Sequence, residues 1–506
     1  MSSKIFSAST IGLEAQIVEV EADYGGGQGG KIVIVGLPDI AVQESKERVW
    51  SAIKNSGLGL LRLSIRINLA PANIKKQGPS YDLPIALSIL VAAGQLPNFD
   101  STKKIFAGEL ALNGDLRPIN GVLPIALMAK AKGFRTIFIP TLNAEEASLI
   151  PGIQVIPVNS LSEVYLHLQN KNQINSYVSN KKYFEKQPTS NFDFAFIRGQ
   201  EHVKRALEIA AAGAHNILMS GPPGSGKTLL ARAMPTILPK MTIDESLEVT
   251  KIYSVAGLLP KEQPLIIERP HRTPHHTASG AALVGGGAWP KPGEISLAHR
   301  GVLFLDEFPE FPRQILENLR QPLEDGVISI SRVQGTLSFP AKFILMAAMN
   351  PCPCGYLTDP QKNCTCTQTQ ILNYQKKISG PLLDRIDLHI EVPRVEFEKL
   401  TNNTQSEGSK SIRERVQQAR NYQLERLKQE KIITNAEMSS EQVKKYCPID
   451  APIKQILRGA VDTLHLSARS YFKILKLART IADLSEQKNI LQEHVAEALQ
   501  YRPRVE

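Results

Sequence analysis

The chain has 506 residues, 42% hydrophobic and 21% charged, a balance that supports packed cores and excludes a disordered or disulfide-scaffolded protein; at about 150 residues per domain it predicts two to four domains. Its longest apolar-rich run, Leu83 to Gly94, is broken by Pro84 and Ser88 and falls short of the roughly 20 residues a membrane span needs; with no signal-peptide core at the N-terminus, a cytoplasmic protein is expected. Fifty-nine Lys and Arg against 49 Asp and Glu leave a net charge of +10, which suits a nucleic-acid partner without requiring one.

Residues 1–168 read as one α/β domain. Lys31 to Val35 is predicted as a strand, and Arg62 to Leu69 alternates so that Leu63, Ile65, Ile67 and Leu69 share a face. Val42 to Asn55 and Leu83 to Gln95 have helical spacing, and Asn113-Gly114 marks a hairpin turn. A helix (Gly121 to Lys132), a strand (Thr136 to Ile139) and a short βα ending follow. Gly78-Pro79-Ser80, Gly108-Glu109-Leu110 and Pro118-Ile119-Asn120-Gly121 resemble the peptidase domain of Lon proteases, a ribosomal S5 domain 2-like fold. That family works with a Ser–Lys dyad. Ser80 matches its serine, but the lysine position falls on Leu123. Without a base a hydroxyl stays at its unreactive pKa, so the domain is expected to be inactive as a peptidase and to serve assembly or substrate contact.

Residues 169–192, polar and rich in Asn and Lys, read as a linker. Residues 193–395 alternate Gly- and Pro-rich loops with short apolar strands, 396–410 read as a second linker, and 411–506 are helical and basic. Arg413, Arg415, Arg420, Arg426 and Lys428 of the last segment are candidates for phosphate contact, against the plainer reading of a solvated face.

Gly221-Pro222-Pro223-Gly224-Ser225-Gly226-Lys227-Thr228 matches the phosphate-loop pattern without departure, after the apolar Ile217–Met219 and before a helix-forming run. Glycines let backbone N–H groups approach phosphates, and the helix N-terminus adds positive charge. Lys227 is assigned to the β/γ-phosphates and Thr228 to Mg²⁺. Val302 to Leu305 is an apolar strand ending in Asp306 and Glu307. Asp306 is placed to hold Mg²⁺, and Glu307 to activate the attacking water. A third strand, Phe343 to Met349, ends in Asn350, whose amide can orient that water or meet the γ-phosphate.

These motifs, with Leu382-Leu383-Asp384-Arg385-Ile386-Asp387, resemble the nucleotide site of an AAA+ ATPase in the branch that holds magnesium chelatase subunits and MCM helicases. Arg269 to His276, Gly285-Gly286-Gly287 and Pro292 to Gly301 narrow the resemblance to the YifB/ComM family of magnesium-chelatase-like proteins, over essentially the whole chain. The fold class implied is α/β: a Lon-like N-terminal domain, a central AAA+ domain and a C-terminal helical lid. The resemblance also implies ATP and Mg²⁺ as ligands, Arg385 as an arginine finger and Arg469 as a second sensor arginine. Such sites lie between subunits, so it implies a ring, a homohexamer.

Ile328 to Phe339 reads as a β-hairpin with Gly335 near its tip, similar to the pore hairpin of MCM helicases, which makes Arg332 and Gln334 the candidate DNA contacts; an incidental surface hairpin is the alternative. His271, His275 and His276 invite a metal, but no paired ligands follow at a standard spacing, and a structural loop is expected. Cys352-Pro-Cys354 and Cys364-Thr-Cys366 form C-x-C-x₉-C-x-C. Four thiolates there suit one Zn²⁺; spare thiols or a redox switch are the other readings.

The function implied by the resemblance is an ATP-dependent hexameric DNA helicase promoting branch migration during recombination and natural transformation. Single-stranded and branched DNA, and recombination proteins, are its expected partners. A chelatase-type ATPase inserting metal into a porphyrin is the second reading, although a Lon-like domain stands in front. An ATP-dependent protease is disfavoured by Leu123, and a non-enzymatic scaffold by the Glu307, Asn350 and Arg385 set.

Overall fold

The computed structural model describes residues 3–28, 32–59, 63–179, 192–260, 262–287, 290–332, 335–395, 406–464 and 466–502. They form two compact units whose borders do not follow the chain. One takes Met1–Lys186 together with Ser246–Ile266, the other Gln187–Glu245 with Ile267–Glu506. Most of the two stretches read as linkers, 180–191 and 396–405, lies outside the described residues. Among the described residues no helix is long and apolar enough to cross a membrane.

Among the described residues the first unit holds three sheets. Ser3–Ile11, Glu14–Gln28, Leu63–Ala70 and Ile32–Val35 lie side by side in that order, the first three antiparallel and the last pair parallel. Alternation in the third strand turns Ile65, Ile67 and Leu69 into the core. Lys104–Phe106, Thr136–Pro140 and Gln154–Val158 make a parallel three-stranded sheet, and Glu109–Leu110 pairs with Leu116–Arg117 across the Asn113-Gly114 turn. The helix Asp82–Ala92 is buried from Asp82 to Val91, so its sequence is apolar on every face and shows no amphipathic stripe.

The second unit is built on five parallel strands: His271–Arg272, Val302–Leu305, Ile344–Met349, Ile217–Ser220 and Leu388–Glu391, side by side in that order. Every residue of Val302–Leu305 and of Ile344–Met349 is buried, as expected of parallel strands covered on both faces. All carboxyl ends point one way, and ligand-binding loops gather at that edge.

The C-terminal helices Ser409–Leu427, Ala468–Leu484 and Gln492–Gln500 share a core with Glu201–Gly213 of the same unit. Here three arginines depart from the phosphate-contact reading. Arg420 is buried and donates to the carbonyls of Ala211 and Ala212 at 3.1 and 3.0 Å, closing a helix end whose carbonyls have no intrahelical partner. Arg415 donates to Glu208 at 2.7 Å and pairs with Glu407. Arg426 donates to Asp483 at 2.9 Å. A charge-rich helix face looks the same in sequence whether it meets phosphate or its own protein.

Candidate active site

Glycine is needed at two points of the phosphate loop. A Cβ on Gly221 would stand 2.2 Å from the Val392 carbonyl oxygen, and Gly226, with φ of 89°, lies in the left-handed region and leads into the helix Lys227–Ala233. The loop is stitched to both neighbouring strands: Gly221 N–H donates to the Met349 carbonyl at 3.2 Å, and Val392 N–H to the Ser220 carbonyl at 2.7 Å. The Lys227 amine is buried in the loop it serves. It donates to the carbonyls of Gly221 and Pro222 at 2.7 and 3.0 Å and to Asn350 Oδ1 at 3.3 Å. Burial lowers its pKa, since a dry pocket disfavours charge, and an anion placed there would restore it.

Thr228 Oγ1 donates to Asp306 Oδ2 at 2.7 Å, and Asp306 Oδ1 accepts the Glu307 N–H at 2.9 Å. Glu307 itself has φ of 51°, a left-handed conformation uncommon outside glycine and concentrated at functional sites. Its carboxylate lies 3.4 Å from His276 Nδ1. The His276 ring in turn meets His275 at 4.1 Å and the edge of Phe311 at 6.4 Å. The sequence reading set His276 aside as loop structure; its link to Glu307 lies across a gap that no motif spacing encodes. Lys227, Thr228, Asp306 and Asn350 are thus brought into one cluster, with Glu307 beside it.

Arg385 and Arg469 stand together at another place. Both pair with Glu324: Arg385 Nη2 in a short ion pair, Arg469 Nη2 at 3.2 Å. Arg385 Nη1 also donates to the Pro381 carbonyl at 2.6 Å, and Arg469 approaches Asp384 at 3.9 Å. Among the described residues, no hydrogen bond or ion pair joins either arginine to the phosphate loop, Asp306, Glu307 or Asn350. They line a cavity of about 760 Å³ that Arg300, Lys473 and Lys476 also face.

The hairpin pairs Val327–Arg332 with Gly335–Pro340, antiparallel. Its tip, with Gln334, lies outside the described residues, as does the side chain of Arg332. The four clustered cysteines have every Sγ within 4.8 Å of the others.

Ser80, in the first unit, sits in the turn Pro79–Tyr81. The next residue, Asp82, is fully buried and receives two hydrogen bonds from Arg48, at 2.8 and 3.1 Å. Leu123 is fully buried at the start of the helix Val122–Ala131. Its N–H donates to Glu146 Oε1 at 2.9 Å, and the same carboxyl accepts from Ser254 of the inserted segment. Gly121 N–H donates to the Ser254 carbonyl at 3.1 Å. The insertion is therefore hydrogen-bonded to the start of the helix that carries Leu123. The buried Lys76 amine donates to the Pro71 carbonyl, and burial lowers its pKa.

Three family models match the chain: "Magnesium chelatase, subunit ChlI" over 193–400, "Subunit ChlI of Mg-chelatase" over 18–143, and "Magnesium chelatase, subunit ChlI C-terminal" over 406–502. The chain is 43% identical over 506 residues to Competence protein ComM of Haemophilus influenzae, covering 99% of this chain and 97% of that one. It is 40% identical over 507 residues to the uncharacterized protein YifB of Escherichia coli, covering 99% and 97%. A shorter similarity, 35% over 122 residues, joins it to Lon protease 2 of Bacillus subtilis, covering 24% of this chain and 21% of that one.

Proposed function

This chain belongs to the YifB/ComM family of magnesium-chelatase-like AAA+ ATPases, and we propose that it is an ATP-driven DNA motor, a homohexameric helicase that promotes branch migration of recombining DNA during competence. The observation that carries this reading is the division of the ATP-site residues into two clusters. Lys227, Thr228, Asp306 and Asn350 make a phosphate-binding half, while Arg385 and Arg469 are held apart on Glu324. With both halves present and, among the described residues, no hydrogen bond or ion pair joining them, each chain would complete a site by giving its arginines to a neighbour. Closed head-to-tail association of this kind makes a ring.

In this reading the Lys227 amine leaves the Gly221 and Pro222 carbonyls for the β/γ-phosphates. The Thr228 hydroxyl and Asp306 carboxylate form an oxygen pair that fits a hard Mg²⁺, which supplies charge at the phosphate oxygens when bound. Glu307 orients and deprotonates the attacking water, and His276 fixes the carboxylate until ATP arrives. The neighbour's γ-phosphate draws Arg385 from Glu324. A transferring phosphoryl group needs positioning and charge above all else, which these residues provide.

The DNA reading rests on the relative named a competence protein, on the net charge of +10 and on the hairpin Val327–Pro340. That hairpin lies in the chain between the strand leading to Glu307 and the strand ending before Asn350. A change at the nucleotide therefore reaches it from both sides. Arg332 near its tip would grip phosphate as a charge without reading sequence.

The test is complementation. Arg385→Ala and Lys227→Ala proteins, each inactive alone, should regain ATPase and forked-DNA unwinding when mixed, because some junctions pair an intact loop with an intact finger. Subunit exchange with no recovery would overturn the shared site. Stimulation by a porphyrin in place of DNA would favour the chelatase reading.

A further inference from the structure

The loop 351–366 connects the strand Ile344–Met349 to the helix Gln368–Gln375 without a strand or helix of its own. Only Pro351, Cys352 and Gly355 in it are buried. Apolar packing of that extent cannot order so long a loop. What converges inside it is sulfur. Cys352 Sγ lies 3.4 Å from Cys354 Sγ and 3.7 Å from Cys364 Sγ, and Cys354 and Cys364 are 3.6 Å apart. Cys366 Sγ accepts the Cys354 N–H at 3.4 Å and stays within 4.8 Å of the rest.

These separations exclude a formed disulfide and match the spacing of a four-thiolate site. A disulfide holds its sulfurs at about 2.0 Å. Four sulfurs at about 2.3 Å from a tetrahedral zinc stand about 3.8 Å apart, close to the spacing here. Each ligand pair is anchored at its outer end, one by the buried strand, the other by a helix whose cap Thr367 exchanges hydrogen bonds with Gln370.

The loop also leans on the ATP site. A Cβ on Gly355 would stand 2.6 Å from Pro223 of the phosphate loop and 3.7 Å from the Asn350 side chain. The helix that follows Cys366 buries Tyr374 in the same core as Met349, the residue before Asn350. Arg394 pairs with Asp359 at 2.8 Å and lies 5.9 Å from the Tyr356 ring. The loop is therefore wedged between the residue that receives the Lys227 amine and the edge of the phosphate loop.

We propose that Cys352, Cys354, Cys364 and Cys366 hold one structural Zn²⁺ per chain, and that this ion sets the positions of Asn350 and Pro223 and so the affinity of the site for nucleotide. The metal forms no bond to ATP and takes no part in hydrolysis. It replaces the packing that the loop lacks.

The full-length chain, purified with neither chelator nor added metal, should contain about one zinc per polypeptide. A mercurial thiol reagent should release it. Substitution with Co²⁺ should give the visible absorption of a tetrahedral thiolate site. A Cys354→Ser/Cys364→Ser variant should hold less than about 0.2 zinc per chain. Because that variant can fail to fold, removal and return of zinc on the unmutated protein is the second arm. Binding of a fluorescent ATP analogue should weaken at least about tenfold on removal and recover with zinc. Zinc below about 0.2 per chain with all four thiols titrating freely would overturn the site, as would iron in its place. Stoichiometric zinc whose removal leaves nucleotide affinity unchanged would overturn the coupling. No readout needs DNA, hydrolysis or a ring, so failure here is distinct from failure of the motor reading.

Discussion

Each unit presents a polar side chain beside a glycine turn, and the two turns face different surroundings. In the C-terminal unit the Lys227 amine rests on carbonyls at 2.7 and 3.0 Å, contacts that phosphate oxygens can replace. In the N-terminal unit the hydroxyl of Ser80 follows Gly78-Pro79, but the dyad position two residues past Gly121 is a buried Leu123, and its helix start is taken by Glu146 and Ser254. The difference lies less in the turns than in what fills the space facing them. Leu123 is fully buried, so that place is packed with hydrocarbon.

Substitutions sharpen the contrast most in the C-terminal unit. Lys227→Ala should abolish nucleotide binding. Glu307→Gln should bind ATP and lose hydrolysis by about 10²–10⁴-fold, the range for a positioned general base. Both should unfold close to the unmutated protein, because neither side chain fills a core. Fluorescent-nucleotide binding and phosphate release separate the two. Near-normal turnover by Glu307→Gln would remove that residue from the role of water activator.

In the N-terminal unit the expected pattern is the reverse. Ser80→Ala should leave ATP turnover unchanged and abolish no cleavage of unfolded protein. Leu123→Ala should leave turnover unchanged too, yet cost that unit about 2–5 kcal/mol through the cavity it opens. Hydrogen exchange along Val122–Ala131 reads this directly. ATP-stimulated proteolysis that vanishes in Ser80→Ala would show that the turn still reacts, and the comparison would collapse.

Sequence made the phosphate half of the site legible because phosphate recognition is local. Backbone N–H groups, an amine and a hydroxyl must come from eight consecutive residues, Gly221 to Thr228. The strands ending in Asp306 and Asn350 were legible as unbroken apolar runs, buried on both faces. The hold on Arg385 and Arg469 was not. Glu324 is 61 residues from one and 145 from the other, and nothing in an acidic helix end names its partner. Ser246–Ile266 was missed for a related reason. The helix Ile243–Ala256 has the same periodicity whichever core it serves, and the hydrogen bonds that tie it down, from Gly121 N–H and to Glu146, reach distant parts of the chain. Arg420 shows the converse, a basic residue weighed as a phosphate contact or a solvated charge that is buried and caps a helix of its own chain.

The smallest expected effect tests whether the two units also differ in how they store charge. His389, on the strand Leu388–Glu391, is pushed down to about 4, first by burial and then by Lys473. Its native state holds the ring neutral, while the unfolded chain protonates near pH 6.5. Its contribution is therefore complete above pH 6.5 and is lost as pH falls through that window toward 4. Glu146 has the opposite sign. Burial raises its pKa against the pull of Ser254, the Leu123 N–H and Asn143, so the native state binds the proton more readily than the unfolded chain. Its contribution is complete below about pH 4.5 and is lost as pH rises through the raised value. Lowering the pH from 6.5 should thus weaken the C-terminal unit through His389 and strengthen the N-terminal unit through Glu146. Exchange at Leu388–Glu391 and at Val122–Ala131, corrected for intrinsic rate, should move in opposite directions relative to His389→Asn and Glu146→Gln respectively. The His389 effect should be on the order of 1–3 kcal/mol. If His389→Asn leaves the acid response of its strand unchanged, the ring is not held neutral, and charge storage no longer separates the two units.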